Sequence, residues 1–149
     1  MKKNHLHFIL HAHLPFVRHL EYPKFLEEDW FFESLAESYL PLLRAFRRLR
    51  ADNIAFKVTV SLSPTLCAML DDEPLRQRFL GYLEAHCELG KKEIVRCQAE
   101  QPEFLPLARM YSDLYELDYS DYTALYQYRG GVDDDAAAAV SDSSSDDGL

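Results

Sequence analysis

The amino-terminal residues alternate between apolar and polar side chains, and this pattern constrains how the first segment folds. Residues two apart on a β-strand share a face. From His5 to Leu14 one face is therefore wholly apolar, and the other face carries His5, His7, Ile9, His11 and His13. Pro15 has no backbone N–H, which predicts that the strand ends there, with His11 and His13 at its carboxyl end. Ligands bind at that end of the strands in α/β sheets and barrels.

Helical and extended segments alternate after this strand. Apolar residues three and four apart predict a helix from about Asp29 to Arg50, kinked or broken by Pro41. Residues 55–61 are rich in β-branched side chains and predict a second strand. Further helices are expected near residues 66–70, from residue 73 onward and after residue 106. The second has an apolar stripe, with His86 as a core or boundary residue on it; its members are Leu75, Phe79, Tyr82, Leu83, His86 and Leu89. The third has Met110, Leu114 and Leu117 spaced for one face. This order predicts an α/β fold with a parallel sheet or a (β/α) barrel, and a complete barrel needs at least about 200 residues.

Composition argues against several classes of partner. The net charge of −9 comes largely from aspartates near the carboxyl end, and the remainder is mildly acidic with no basic face for nucleic acid. No apolar run approaches the roughly 20 residues of a membrane span. Cys67, Cys87 and Cys97 are odd in number and show no Cys-x-x-Cys spacing. They predict buried free thiols in a reducing compartment, the cytoplasm.

The last residues differ sharply in composition from the rest. From Gly131 onward the chain is rich in Asp, Ala and Ser and has neither aromatic nor basic residues. Such a segment cannot bury a core, which predicts a disordered tail over residues 131–149 behind a domain over residues 1–130. An acidic solubilising tail is one interpretation. The favoured one is a frameshift or truncation that appended unrelated residues to an interrupted domain.

Three roles are open for His11 and His13. They can donate hydrogen bonds to sugar hydroxyls, ligate a metal ion, or be satisfied core histidines. Trp30 could stack on a sugar ring, although a single tryptophan is more often a core anchor. The acidic run Glu27, Glu28 and Asp29 is explained by helix-start charge, and Arg18 is expected to be a solvated loop residue. Tyrosines at mostly four-residue spacing suggest either an interaction surface or a helix face whose partner lies outside the chain; they are Tyr111, Tyr115, Tyr119, Tyr122 and Tyr126.

Three stretches resemble glycoside hydrolase family 57, and within it the 1,4-α-glucan branching enzymes. The first is Leu-His-Ala-His-Leu-Pro-Phe-Val-Arg at residues 10–18. The others are residues 29–43 and the string Ser-Leu-Ser-Pro-Thr-Leu-Cys-Ala-Met-Leu at residues 61–70. The likeness extends from the first strand to about Tyr126.

The resemblance implies the amino-terminal part of a distorted (β/α)7-type barrel, incomplete in this chain, with its active site at the carboxyl ends of parallel strands. It implies a retaining reaction on an α-glucan such as glycogen or starch, with a glutamate nucleophile and an aspartate acid/base. His11 and His13 match the family's histidine motif and would line a sugar subsite, and Trp30 falls in a matched segment. The family uses neither a cofactor nor a metal.

The family's two catalytic carboxylates match no residue of this chain. The resemblance therefore implies a fragment that retains one wall of the sugar site and is inactive alone. Two alternatives remain open at this stage. One is a metal-dependent hydrolase with a His-x-His site, and the other is a non-catalytic interaction module.

Overall fold

The structure is a computed structural model that describes the backbone of residues 6–142 and the side chains of residues 6–126. His5 lies outside the described part. The elements, in chain order, are β1 (Phe8–Ala12), α1 (Leu26–Ser34), a π-helical turn (Leu35–Tyr39), α2 (Leu40–Ala51), β2 (Val58–Leu62), α3 (Pro64–Asp71), α4 (Glu73–Glu100), a 3₁₀ turn (Pro102–Phe104) and α5 (Leu105–Asp142). The predicted α/β alternation is confirmed at both strands.

β1 and β2 form a parallel pair, with α1 and α2 as the crossover between them. The Cα partners run from Phe8 and Val58 at one end to Ala12 and Leu62 at the other. Beyond the strands, the N–H of Ser63 donates to the carbonyl of Ala12 at 3.0 Å. A parallel pair needs such a crossover, because a tight turn cannot return the chain to the same end. β2 begins three residues later than the sequence predicted.

The helical segment between the strands is interrupted just before Pro41. Its first part begins at Leu26, earlier than the predicted start at Asp29. At the interruption the N–H of Leu40 donates to the carbonyl of Leu35, five residues back, as in a π-helix. Proline has no N–H for the α-helical bond, and its ring conflicts with the carbonyl four residues before it. The helix therefore forms one wider, π-helical turn before Pro41 and then continues as α2. This refines the predicted kink or break.

The core lies where α1, α3 and α4 meet the loop after β1. Its fully or nearly buried apolar side chains include Val17, Phe31, Phe32, Leu35, Leu66, Met69, Leu75, Phe79 and Leu83. Each such side chain contributes roughly 1.5–3 kcal/mol when it leaves water. The predicted apolar stripe of α4 is confirmed over its first three turns. It ends before Leu89, which is exposed.

α5 packs against α4 through a different face from the one the sequence predicted. Met110 and Leu117 were expected to be packed but are exposed. The face that contacts the core is aromatic, and its members are Tyr115, Tyr119 and Tyr122. The tyrosines were expected to lack a partner within the chain, and that expectation is wrong for these three and for Tyr126, whose hydroxyl contacts Glu73 and Gln77. Their partner is α4, where Tyr122 contacts Phe79, Tyr115 contacts Tyr82, and Tyr119 donates to Glu84.

Two further observations concern the tail and the cysteines. The structure continues α5 to Asp142, with a run of four alanines that favours helix, and the disordered tail over residues 131–149 stays a prediction. The rest of the predicted tail, residues 143–149, lies outside the described part. Cys67 is exposed, whereas Cys87 and Cys97 are buried as expected, and all three are free thiols. Within the described residues, no helix combines the length and apolarity needed to cross a membrane.

The spacing of α4 and α5 depends on one glycine. A Cβ at Gly90 would lie 3.0 Å from Cα, Cβ and Oγ of Ser112 on α5. Gly81, also on α4, has nothing within 4 Å of the same position. A side chain larger than hydrogen is therefore excluded at Gly90 by the close approach of α5, whereas there is room for one at Gly81.

A buried ion pair joins α2 to α5. Arg44 Nη1 contacts Asp118 Oδ1 at 2.5 Å and Asp121 Oδ2 at 3.1 Å. Asp118 is fully buried, and its Oδ2 has no hydrogen-bond partner among the residues whose side chains the structure describes. Burial raises the pKa of Asp118, and the hydrogen bond from Arg44 opposes that rise. Arg47 reaches Asp121 at 3.4 Å from a side chain that is half exposed.

Gly81→Ala should stabilise the fold by about 0.5–1 kcal/mol, because alanine is the better helix former. Gly90→Ala should instead destabilise it by roughly 1–3 kcal/mol, because the added methyl group forces α5 away. Urea unfolding of both variants measures the difference. Equal stabilisation by both substitutions would contradict this account of the α4–α5 contact.

Arg44→Met should cost about 3–5 kcal/mol at neutral pH, because it leaves the Asp118 carboxylate buried and unpaired. The matched change Arg47→Met should cost at most about 1 kcal/mol. A carboxyl whose pKa is raised in the folded state takes up a proton more readily than in the unfolded state. The loss in Arg44→Met should therefore shrink as the pH is lowered toward the usual aspartate pKa. Unfolding curves at several pH values measure this, and a pH-independent loss would contradict it.

Candidate functional site

His11 and His13 lie together at the carboxyl end of β1, on the face that the sequence predicted. Their rings are nearly parallel, with an interplanar angle of 10° and centroids 5.7 Å apart. Both side chains are exposed. They are therefore not core histidines, and a solute can reach both rings.

Hydroxyl groups from β2 contact the histidines of β1. His11 Nδ1 lies 2.6 Å from Ser61 Oγ, and His7 Nε2 lies 2.9 Å from Thr59 Oγ1. The register explains the first contact, because the Cα atoms of His11 and Ser61 are direct partners. Two of the three described imidazoles on this face are thus hydrogen-bonded to hydroxyls of β2. For the ring of His13, no hydrogen bond is present among the described residues.

Short hydrogen bonds tie the ends of the two strands to the segments that follow. Thr65 donates through Oγ1 to the carbonyl of Leu14 at 2.7 Å. Ser63 caps α3 by accepting from the N–H of Leu66 at 3.3 Å, which satisfies a free donor at the helix start. The N–H of Val17 contacts Met69 Sδ at 3.2 Å. The loop that leaves β1 is thus held against α3.

A buried carboxylate organises the rest of that loop. Glu28 is 2% exposed, and its Oε1 accepts from the backbone N–H of His19 at 2.8 Å. Its Oε2 accepts from Arg78 of α4 at 2.5 Å. Arg78 also donates to the carbonyls of His19, Leu20 and Tyr22, the last at 2.8 Å. One guanidinium thereby satisfies three loop carbonyls and a carboxylate that would otherwise be costly to bury.

Arg18 is anchored on the outside of the same loop. Its Nε lies 2.5 Å from Asp72 Oδ2, and the pair is partly exposed. Asp72 also caps α4 by accepting from the N–H of Leu75 at 3.0 Å. Arg18 was expected to be a solvated loop residue, and the structure adds this surface ion pair.

Trp30 lies on α1 and is 50% exposed, so it is not a core anchor. No contact joins Trp30 to His11 or His13 in the described part of the chain. The structure thus leaves its indole available at the surface but does not place it beside the histidines.

His86 belongs to an aromatic cluster on α4 and α5. Its ring lies 3.9 Å from that of Tyr82 and 4.7 Å from that of Tyr115, measured between centroids. Its Nδ1 lies 2.8 Å from the carbonyl of Tyr82. Burial, followed by the contact with Tyr115, raises the pKa of Tyr82 well above its usual range. His86 is a boundary residue, as the sequence predicted.

Among the described residues, no group of three or more His, Cys, Asp or Glu side chains is arranged to hold a metal ion. His11 and His13 therefore have no third ligand beside them within residues 6–126. The open pair is suited to hydrogen bonding with a polyhydroxylated ligand, since each imidazole offers a donor and an acceptor.

Sequence reasoning missed Ser61, Glu28 and Arg78. Glu28 was interpreted as one of three acidic residues favoured by a helix start, and it does lie in the first turn of α1. Its burial depends on Arg78, which is 50 residues away in the chain. The only sequence feature that could have pointed to Ser61 is its place in the predicted strand next to the strand that carries the histidines.

Comparisons with known proteins match most of the chain. The family model "Glycosyl hydrolase family 57" matches residues 7–131. The 1,4-alpha-glucan branching enzyme of Thermococcus kodakarensis is 40% identical over 93 residues, which is 62% of this chain and 14% of that protein. The chain thus spans about a seventh of that relative's length.

Two solved structures are similar. The alpha-amylase AmyC of Thermotoga maritima superposes with a TM-score of 0.72 and 35% identity, over 83% of this chain and 23% of that one. The GH57-type branching enzyme of Pyrococcus horikoshii superposes with a TM-score of 0.72 and 28% identity, over 79% of this chain and 22% of that one.

Arg78→Met should cost about 3–5 kcal/mol and loosen the loop, because Glu28 would stay buried without its partner. The control Arg18→Ala removes a partly exposed pair from the same loop and should cost at most about 1 kcal/mol. Urea unfolding gives the stability, and limited proteolysis reports loop opening. Equal effects of the two substitutions would show that the Glu28–Arg78 contact does not hold the loop.

Proposed function

The chain belongs to glycosyl hydrolase family 57, and on this premise we propose that it is the amino-terminal part of a 1,4-α-glucan branching enzyme. Such an enzyme cleaves an α-1,4-glucan with retention and passes the cleaved chain to a 6-hydroxyl. The relatives from Thermococcus kodakarensis and Pyrococcus horikoshii, both branching enzymes by name, support this activity. The likeness to an alpha-amylase supports the broader class, a retaining enzyme acting on α-glucan.

The proposal assigns residues 1–130 to the wall of a (β/α)7-type barrel and residues 131–149 to a segment outside it. Exposed apolar side chains on the sheet support this assignment. Phe8 and Leu62 are 59% and 52% exposed although both lie on the apolar face, and Ile9 is exposed on the other face. A strand pair with this much open apolar surface is suited to further covering elements. The free thiols are consistent with a cytoplasmic location.

The observation that carries the proposal is the exposed, parallel pair of His11 and His13 at the carboxyl end of β1. Two rings held side by side offer hydrogen bonds at a spacing suited to neighbouring hydroxyls of one sugar unit. The substrate class is an α-glucan such as glycogen or starch. Trp30 would add stacking on a further sugar ring.

We assign neither catalytic carboxylate to this chain. A retaining mechanism needs a nucleophile and an acid/base about 5 Å apart. Glu93 and Glu100 are instead paired with Arg96 along α4, at 2.8 Å and 3.8 Å. Glu103 lies in the turn after that helix. The 149-residue chain would therefore bind glucan without turning it over.

Maltohexaose should perturb the ring resonances of His11 and His13 in the full 149-residue chain. His11→Ala should weaken binding about 3- to 10-fold, as expected for the loss of one hydrogen bond. His7→Ala, two residues deeper on the same face, is the matched control and should leave affinity unchanged. Fluorescence of the single tryptophan tests the Trp30 contact separately.

Amylose incubated with the same protein should gain no α-1,6 branches, and new branches would contradict the assignment of an inactive fragment. Unchanged histidine resonances at saturating maltohexaose would contradict the saccharide site. Stoichiometric zinc that survives dialysis and is lost in His11→Ala would favour a metal-dependent hydrolase instead.

A further inference from the structure

We propose that Ser61 is a positioning residue of the saccharide site, because its hydroxyl holds Nδ1 of His11 and leaves Nε2 for the sugar. This inference rests on the proposed function and adds a residue from the second strand to it. Ser61 is exposed and does not contribute to the core. Its role is therefore separable from the stability of the fold.

The register of the sheet makes the contact a fixed feature. The Cα atoms of Ser61 and His11 are direct partners in the parallel pair, and the Ser61 Oγ to His11 Nδ1 distance is 2.6 Å. Backbone pairing on both sides of this point, up to the bond from Ser63 to Ala12, holds the two Cα atoms in place. The His11 side chain is thus restrained by the hydrogen bond at Nδ1 as well as by the backbone pairing at its Cα.

The chemical consequence concerns which ring nitrogen faces the ligand. A neutral imidazole has one N–H donor and one acceptor nitrogen, and a hydrogen bond at one of them decides the state of the other. The serine hydroxyl can rotate to donate or to accept. In either case Nδ1 is engaged, and Nε2 takes the complementary role: it is the N–H donor when Nδ1 accepts and the acceptor when Nδ1 donates.

The effect extends to His13. No hydrogen bond orients the His13 ring among the described residues, and its parallel contact with His11 is what aligns it. Fixing His11 therefore fixes the surface against which His13 packs. Ser61 would set the orientation of both rings through a single bond.

A second pair in the same sheet supplies the control. His7 and Thr59 form an equivalent imidazole–hydroxyl contact at 2.9 Å, further from the carboxyl end of β1. If the hydroxyls of Ser61 and Thr59 only supported the sheet, removing either one would have the same effect on His11. If Ser61 positions the site, only its removal would change His11.

The test uses the full chain with ¹⁵N-labelled histidine at a pH of about 8.5, above the ordinary imidazole pKa. Two-bond ¹H–¹⁵N spectra report the protonation form of each ring nitrogen. Ser61→Ala should shift both His11 nitrogens and broaden His13, and Ser61→Thr should restore the wild-type pattern. Thr59→Ala should change His7 and leave His11 unaltered. Thermal unfolding confirms that each variant is folded.

Maltohexaose titrations complete the test. Ser61→Ala should weaken binding about 3- to 10-fold, and Ser61→Thr should recover it. An unchanged His11 spectrum in Ser61→Ala, or the same change in Thr59→Ala, would overturn the positioning role. Failure of wild-type protein to bind maltohexaose would overturn the proposed function, while the spectra without sugar would still decide whether Ser61 orients His11.

Discussion

The parallel pairing of β1 and β2 is the interaction on which the rest of this structure depends. It brings residues about 50 positions apart into direct contact and defines which side chains become neighbours. The hydroxyl-bonded histidines exist only because of that register, since a slip of one residue would turn Ser61 to the opposite face. Both strands end at the same edge, so the loop after β1 and the start of α3 lie side by side there.

The α-helices stabilise the loop that follows β1 at this edge of the sheet. Arg78 reaches from α4 into the loop, and Glu28 reaches into it from α1. α4 is in turn supported by α5, through aromatic packing and the close approach at Gly90. The rigidity of the exposed histidine pair thus depends on contacts well away from it. Such support is expected where a binding surface has little burial of its own.

The sequence predicted features that follow from local periodicity, and it missed those that depend on contacts between distant segments. Period-two alternation correctly placed His11 and His13 on one face, and helical spacing identified Leu75 and Phe79. The packed face of α5 was wrong because tyrosine serves equally well at a surface or in a core. Glu28 was undervalued because nothing local distinguishes a buried carboxylate from a solvated one.

The same limit applies to Ser61. A serine in a strand carries no signal until its cross-strand neighbour is known, and one strand's sequence does not specify the register of a pair. The contact with His11 could therefore be found in the structure alone. The alternation of residues was enough to predict that His11 and His13 share one face at the carboxyl end of β1. That prediction required no tertiary information.

The π-helical turn before Pro41 sets the rotational phase between two helices. Both parts face the α4–α5 pair: Phe32 contacts Phe79 on one side of the turn, and Arg44 reaches Asp118 on the other. An α-helix advances about 100° per residue, so loss of the extra residue would swing one contact out of alignment with the other. A single-residue deletion there would leave every side chain chemically intact and still uncouple α1 from α2. The count of residues in this turn is thus under tighter constraint than their identity.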